Sequence, residues 1–228
     1  IDLDIRRNRM GWGRLWLQDG RGNALKHRQI NLRQTSHDFR FGCNAFKLKD
    51  FEEKEKNDAY EAYFKRIFNE AVVPLLWDST EPEKGMLRYA ADSCKMSRRP
   101  PADLVVEWCE QNHIAPKGHW LFCDNFVPKW LPGDWNEVML LLEDRIAGIA
   151  ERYGRRIRKW DVVNESLCSH PRRDPRIGDA SVPPDYLWQI FKMAEKYLPR
   201  QSEFLYNDGG NQAFERFAHD SSPMFLLA

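Results

Sequence analysis

Lys159-Trp160-Asp161-Val162-Val163-Asn164-Glu165-Ser166 is the stretch on which the fold turns. Ile157 to Val163 reads as an apolar strand core, and it stops abruptly at an amide and a carboxylate. A strand that ends in chemistry-bearing side chains is the pattern of barrel enzymes, which place their reactive groups at the C-terminal ends of parallel strands. A carboxylic acid there can protonate a glycosidic oxygen if burial or a neighbouring carboxylate raises its pKa. The adjacent amide can hold a sugar hydroxyl. Spacing alone leaves a second reading open, a solvated Asn-Glu pair at a strand-to-loop turn.

Strand and helix patterns alternate on either side of this stretch. Phe39-Arg40-Phe41-Gly42 is a short strand candidate. Asp58 to Glu70 is a helix with Tyr60, Tyr63, Phe64, Ile67 and Phe68 on one face. Ala71 to Trp77 is a continuous apolar run, the pattern of a strand buried on both faces, although Pro74 cannot donate to a ladder. Asp103 to Asn112 is helical, and Ile114 to Cys123 is strand-like with Gly118 inside it. Asn136 to Tyr153 is a long amphipathic helix with Asn136 as N-cap candidate. A helix over Asp185 to Leu198 follows Pro183-Pro184 and stops at Pro199. Phe204-Leu205-Tyr206 is a fifth strand, and Ser222 to Ala228 begins another helix.

This alternation predicts an α/β fold with a parallel sheet, of the TIM (β/α)8-barrel type, with about the first five βα units present. A closed barrel at this spacing would need roughly 300 residues or more. An open five-stranded sheet would leave two exposed edges. Residues 1–38 have a different texture: short strands around the Asp19-Gly20-Arg21-Gly22 turn, then the alternating Ile30 to Thr35. They predict a short β-rich lead-in before a partial barrel over 39–228.

Bulk properties exclude several classes. The 35 basic and 34 acidic residues nearly cancel, so no electrostatic partner such as nucleic acid is indicated. No apolar run approaches the ~20 residues that span a bilayer, so no membrane partner is expected. Ile1-Asp2-Leu3-Asp4 is not a signal peptide, which leaves room for a removed leader. The five cysteines, Cys43, Cys94, Cys109, Cys123 and Cys168, form no CxxC pair. Neither a metal site nor a cofactor is expected, and buried free thiols fit better than a disulfide framework. The nine Trp, seven Tyr and thirteen Phe residues fill a core or, in part, offer flat platforms for sugar rings.

The 159–166 stretch resembles the acid/base motif of glycoside hydrolase family 10, the retaining endo-β-1,4-xylanases. Further segments are similar in the same order: Phe39-Arg40-Phe41-Gly42; Phe68-Asn69 with Trp77 and Thr80-Glu81-Pro82-Glu83-Lys84-Gly85; Gly118-His119 with Pro128 and Trp130; and Asn207-Asp208. The resemblance implies a polysaccharide or oligosaccharide substrate, xylan or a related plant β-glycan, and a secreted or periplasmic protein. It makes Glu165 the general acid/base and assigns Asn164, His119, Trp77 and Asn207 to substrate binding. Glu81 and Glu83 read as loop-ordering or solvated groups.

The pattern also breaks. Retaining hydrolysis needs two carboxylates about 5 Å apart, and in the family the nucleophile sits on the seventh strand, with no counterpart in these 228 residues. Asp124 is a remote substitute. The family's Glu-Asn-Glu-Met-Lys before the Trp is replaced here by Val72-Val73-Pro74-Leu75-Leu76, its Trp-His by Cys123-Asp124, a Gln by Phe126, and the Tyr after Asn-Asp by Gly209. These changes imply altered specificity or lost activity. The alternatives are a carbohydrate-binding or scaffold relative, and another class of barrel enzyme that uses Glu165 as a general base. A missing C-terminal part or a partner would complete the barrel.

Overall fold

The computed structural model describes residues 2–8, 10–35, 37–166, 183 and 185–208. The chain divides into two compact units, Ile1–Phe39 and Arg40–Ala228. The predicted helix over Ser222 to Ala228, Cys168 and Gly209 lie outside the described residues.

The first unit carries less strand than its sequence suggests. Helix α1, Asp2–Asn8, opens it and buries no residue. The Gly-rich turn forms as expected: Asp19 accepts from the backbone N–H groups of Arg21 and Asn23, both at 2.9 Å, and Gly22 takes φ 84°. The flanking strands shrink to a single antiparallel bridge between Gln18 and Ala24. The alternating Ile30 to Thr35 forms no strand. Apolar side chains of this unit, Leu15, Leu17, Leu25 and Ile30 among them, stay exposed, so the hairpin gains too little burial to extend.

The second unit is a five-stranded parallel sheet in the order β1-β2-β3-β4-β5. The strands are β1 (Gly42–Asn44), β2 (Glu70–Pro74), β3 (Ala115–Phe122), β4 (Lys159–Asn164) and β5 (Glu203–Asn207). The crossovers carry α2 (Lys54–Ile67), α3 (Trp77–Thr80), α4 (Ala102–Gln111), α5 (Trp135–Tyr153) and α6 (Tyr186–Tyr197). Each strand pairs with its sequence neighbour, the order of successive units in a barrel wall.

Several boundaries move for identifiable reasons. Phe39 to Phe41 precede β1 because Phe41 is tied to the Asn69 side chain and gives its carbonyl to the N–H groups of Asn69 and Glu70. Pro74 closes β2 without harm. The Leu75 N–H reaches toward β3, so alternate residues, Pro74 among them, face β1, and β1 has already ended at the Asn44–Val72 pair. The N-cap of α5 is Asp134, not Asn136: its carboxylate accepts from the Glu137 N–H at 3.1 Å. On α2 only Phe64 is buried, while Tyr63 and Ile67 face solvent.

The main core lies between the sheet and its helices. Ala71, Val73, Leu121, Trp160 and Val162 pack there with Val105, Val138, Leu142, Ile146 and Ile190. The other face of the sheet is charged. Lys117 and Asp161 approach to 2.9 Å, Lys159 and Glu70 to 3.0 Å. On β3 and β4 the alternate residues Gly118 and Trp160 face the helices. Gly118 is pinned by packing: a Cβ there would come within 2.7 Å of Trp160 Cζ3 and closer still to Cε3.

Gly118→Ala is therefore expected to cost about 1–3 kcal/mol by overpacking. Gly148→Ala, in the open on α5, is expected to gain up to about 1 kcal/mol from helix propensity. Urea or thermal denaturation of the two variants checks the contrast, and equal stabilities would contradict the packing account.

Candidate active site

Glu165 sits immediately after the last residue of β4, half-buried, with φ 55°. A left-handed backbone is uncommon for a residue with a Cβ and persists only where neighbours hold it. The end of β5 does the holding. The Glu165 N–H donates to the Asn207 carbonyl at 2.7 Å. The Asn207 amide donates to Asn164 Oδ1 at 2.6 Å. One residue further on, the hydroxyls of Ser166 and Tyr206 lie 2.7 Å apart, and Tyr206 donates to Asp208. Three contacts from adjacent residues of β5 thus fix the backbone that carries the carboxylate.

Asn164, expected at the sugar, has a different setting. It is 1% exposed. Its Oδ1 is taken by Asn207 and its Nδ2 points at Cys123 Sγ, 3.8 Å away. It braces Glu165 from below instead of lining open space. The Cys123 thiol is pushed up to about 12, first by burial and then by the charges of Asp124 and Glu165. The Asn164–Cys123 contact sets the residue that follows β3 beside the end of β4.

His119 is on β3, half-buried, with its Nδ1 2.6 Å from Asp161 Oδ2. The same Asp161, 1% exposed, also holds Lys117. A histidine fixed this way has one ring nitrogen committed to the carboxylate. The His119 ring also contacts Trp120, with centroids 4.4 Å apart, and Phe46, at 6.2 Å.

Trp77, expected to support a sugar platform, is a core residue. It is 2% exposed, donates from Nε1 to Glu81 at 3.0 Å, and lies under the Arg145 guanidinium at 5.4 Å. Its ring meets no solvent because α3 folds it beneath the loop that follows. Glu81 orders that loop: it also accepts from the Gly85 N–H at 2.8 Å, and its carbonyl accepts from Trp130 Nε1 at 2.9 Å.

The structure therefore brings Glu165, Asn164 and Asn207 into one hydrogen-bonded group, ties His119 to Asp161 of the same strand β4, and puts Trp77 elsewhere. Sequence reading missed Asp161, Lys117, Ser166 and Tyr206. A signal existed for the first two. Lys117 and His119 on one strand, with Lys159 and Asp161 on the next, put a polar side chain at every second position, which marks a polar face within an apolar run.

The profile of Glycosyl hydrolase family 10 matches residues 31–217. The chain belongs to this family. Among curated relatives, endo-1,4-beta-xylanase B of Thermotoga neapolitana is 28% identical over 176 residues, 75% of this chain and 46% of that protein. Endo-1,4-beta-xylanase 5-like of Arabidopsis thaliana is 30% identical over 149 residues, 63% of this chain and 24% of that protein. The family 10 chain thus spans less than half the length of these relatives. Its fold matches the crystal structure of xylanase 10B from Thermotoga petrophila RKU-1 in complex with xylobiose, with TM-score 0.58 and 22% identity, over 80% of this chain and 55% of that one. A GH10 endoxylanase retrieved from a sugarcane soil metagenome matches with TM-score 0.55 and 26% identity, over 75% of this chain and 48% of that one. The five strands are thus part of a TIM-barrel wall.

Two outcomes test the geometry. Asn207→Ala leaves the buried Asn164 oxygen without its donor, and the expected loss is about 1–3 kcal/mol in thermal or chemical denaturation. A change within a few tenths of a kcal/mol would contradict the bracing role. Among the described cysteines, Cys94 is exposed, while Cys109 and Cys123 are buried with thiols pushed up to about 12. Native protein at neutral pH is therefore expected to label at Cys94 well ahead of Cys109 and Cys123 with a thiol reagent, read by peptide mapping.

Proposed function

We propose that the protein to which these residues belong is a retaining glycoside hydrolase of the endo-1,4-β-xylanase type, acting on xylan or a related plant β-glycan, with Glu165 as its acid/base. One observation carries the assignment: Glu165 stands at the C-terminal end of β4 on a turn pinned from β5, in a family 10 chain. Protonated Glu165 would give its proton to the glycosidic oxygen as the bond to the anomeric carbon breaks. A carboxylate on the opposite face would take up that carbon as a glycosyl ester. Glu165, now ionised, would then remove a proton from the water that hydrolyses the ester.

The second carboxylate has no assignment among the 228 residues. Asp124 is a poor candidate because it is buried, 2% exposed. His119, oriented by Asp161, would border the sugar next to the scissile bond. Asn164 and Asn207 would serve the acid/base by holding its backbone. A polysaccharide substrate fits a protein that works outside the cytoplasm, secreted or periplasmic. Among the described residues no helix is long and apolar enough to cross a membrane.

A second reading has its own support. Leu76, Trp120 and Cys123 form a separate apolar cluster covered by Phe46 and Phe126. It fills the ends of β1 to β3, where hydroxyl-binding groups would stand in a xylan-cleaving site. That favours a catalytically impaired relative of this fold, one whose cleavage of xylan is lost along with those groups.

One experiment separates the two. In the full-length protein, Glu165→Gln is expected to lower cleavage of xylan and of glycosides with poor leaving groups by about 10²–10⁴-fold, measured as reducing-sugar release. Activated aryl glycosides, which need little proton donation, should lose far less. Unchanged xylan cleavage removes Glu165 from the mechanism. Glycan binding with no cleavage by the wild type supports the second reading.

A further inference from the structure

The loop after β2 and helix α5 enclose a groove that shares no residue with the group around Glu165. Its inner part, about 300 Å³, is lined by Leu87, Trp130, Leu141 and Asp144, with Tyr89 and Arg145 at its floor. A second hollow of about 340 Å³ continues it past Trp130 and Leu141 to Leu140. Lys84 borders both hollows, and so does Trp130. Binding sites for small ligands are typically of this size, mostly apolar and aromatic with a few polar groups at the rim.

The wall of the groove is apolar surface left in water. Leu87 is 60% exposed and Leu140 66% exposed. Trp130 is half-buried and rigid: its Nε1 donates to the Glu81 carbonyl at 2.9 Å and its edge meets Trp77 at 6.1 Å. Exposed apolar surface around a fixed aromatic ring, with charged side chains at its margin, marks a recognition site. Lys84, Glu137 and Asp144 stand exposed along the two hollows.

We infer that this groove is a second glycan-binding site, taking a β-linked oligosaccharide against Trp130, Leu87 and Leu140. A pyranose ring has an apolar C–H face and a belt of hydroxyls. The first suits the indole and the leucines; the second suits the ammonium and carboxylates at the rim. A groove continued by a second hollow fits a chain of sugars better than a single compact ligand. The ligand class rests on the proposed function, whereas the site rests on its own geometry.

The test is calorimetric titration of xylohexaose, cellohexaose and mannohexaose into the full-length protein carrying Glu165→Gln, which stops turnover. Leu87→Glu with Leu140→Glu is compared on that background. Both leucines are exposed, so the melting temperature should hold, and circular dichroism checks the fold. The expected result is that, besides any binding at the site around Glu165, a binding event is weakened at least tenfold by the double change and left in place by His119→Ala. An isotherm indifferent to the double change, or no binding of any of the three sugars, overturns the inference. Binding of cellohexaose or mannohexaose alone, with the same sensitivity, upholds the groove and counts against the xylan reading. Binding of xylohexaose in the groove by a protein whose xylan cleavage survives Glu165→Gln upholds the groove and sinks the catalytic assignment.

Discussion

Asp161 is a carboxylate almost without solvent, held between Lys117 and His119 of the neighbouring strand. Burying a charge is costly unless it is paired, and a buried pair adds little net stability over an apolar one. What such a pair does well is penalise alternatives. A slip of β4 against β3 by one residue would turn Asp161 toward the helices and leave both of its partners behind. The ladder on β3 and β4 is therefore fixed up to His119 and Asp161. Past that level the register shifts on both sides of β4. The irregularity falls where the polar groups begin, and beyond it Asn164 pairs with Asn207 and Glu165 turns into the left-handed region.

The strand ends divide into two chemistries. Those of β4 and β5 carry amides, hydroxyls and carboxylates joined by hydrogen bonds. Those of β1 to β3 carry Phe46, Leu76, Trp120, Cys123 and Phe126 in one apolar cluster, with His119 at the seam. Trp120 is buried there among rings, its indole 5.2 Å from Phe126. A site built this way can keep its proton-transfer half while its hydroxyl-recognition half has been replaced. The two halves are on different strands, so sequence drift in one need not unpin the other.

The strand-helix alternation made the sheet legible, because a parallel wall imposes an apolar run and then an amphipathic helix on each unit. The Asn-Glu ending of β4 was legible for the same reason: polarity switches sharply at the strand end. Individual side-chain settings were not. Trp77 looked like a platform because nothing local in Trp77-Asp78-Ser79-Thr80 says that α3 will fold the ring under Arg145 and Glu81. Asn164 looked like a ligand contact because its partner lies 43 positions away, on a strand whose register no local pattern sets. The lead-in failed in the opposite direction. Its alternation is genuine, but Ile30 and Leu32 stay exposed, and period alone does not make a strand.

Arg145 explains why the half-buried indole beside the groove belongs to Trp130, not Trp77. The Arg145 guanidinium, pulled from α5 into the loop after β2, donates to Thr80 at 2.8 Å, to Tyr89 at 3.2 Å and to the Leu75 carbonyl. Burial holds its pKa below the ordinary arginine value, with Tyr89 and Glu81 among the groups opposing the drop. A cation so placed cannot be left unpaired, and its partners include a backbone carbonyl and side chains that only the folded loop supplies. Trp77 lies beneath it and is closed off from solvent on that side. Trp130 comes from the loop after β3, is fastened to the same loop through Glu81, and stands one layer further out. The constraint that removes one tryptophan from the surface thus fixes another beside the groove.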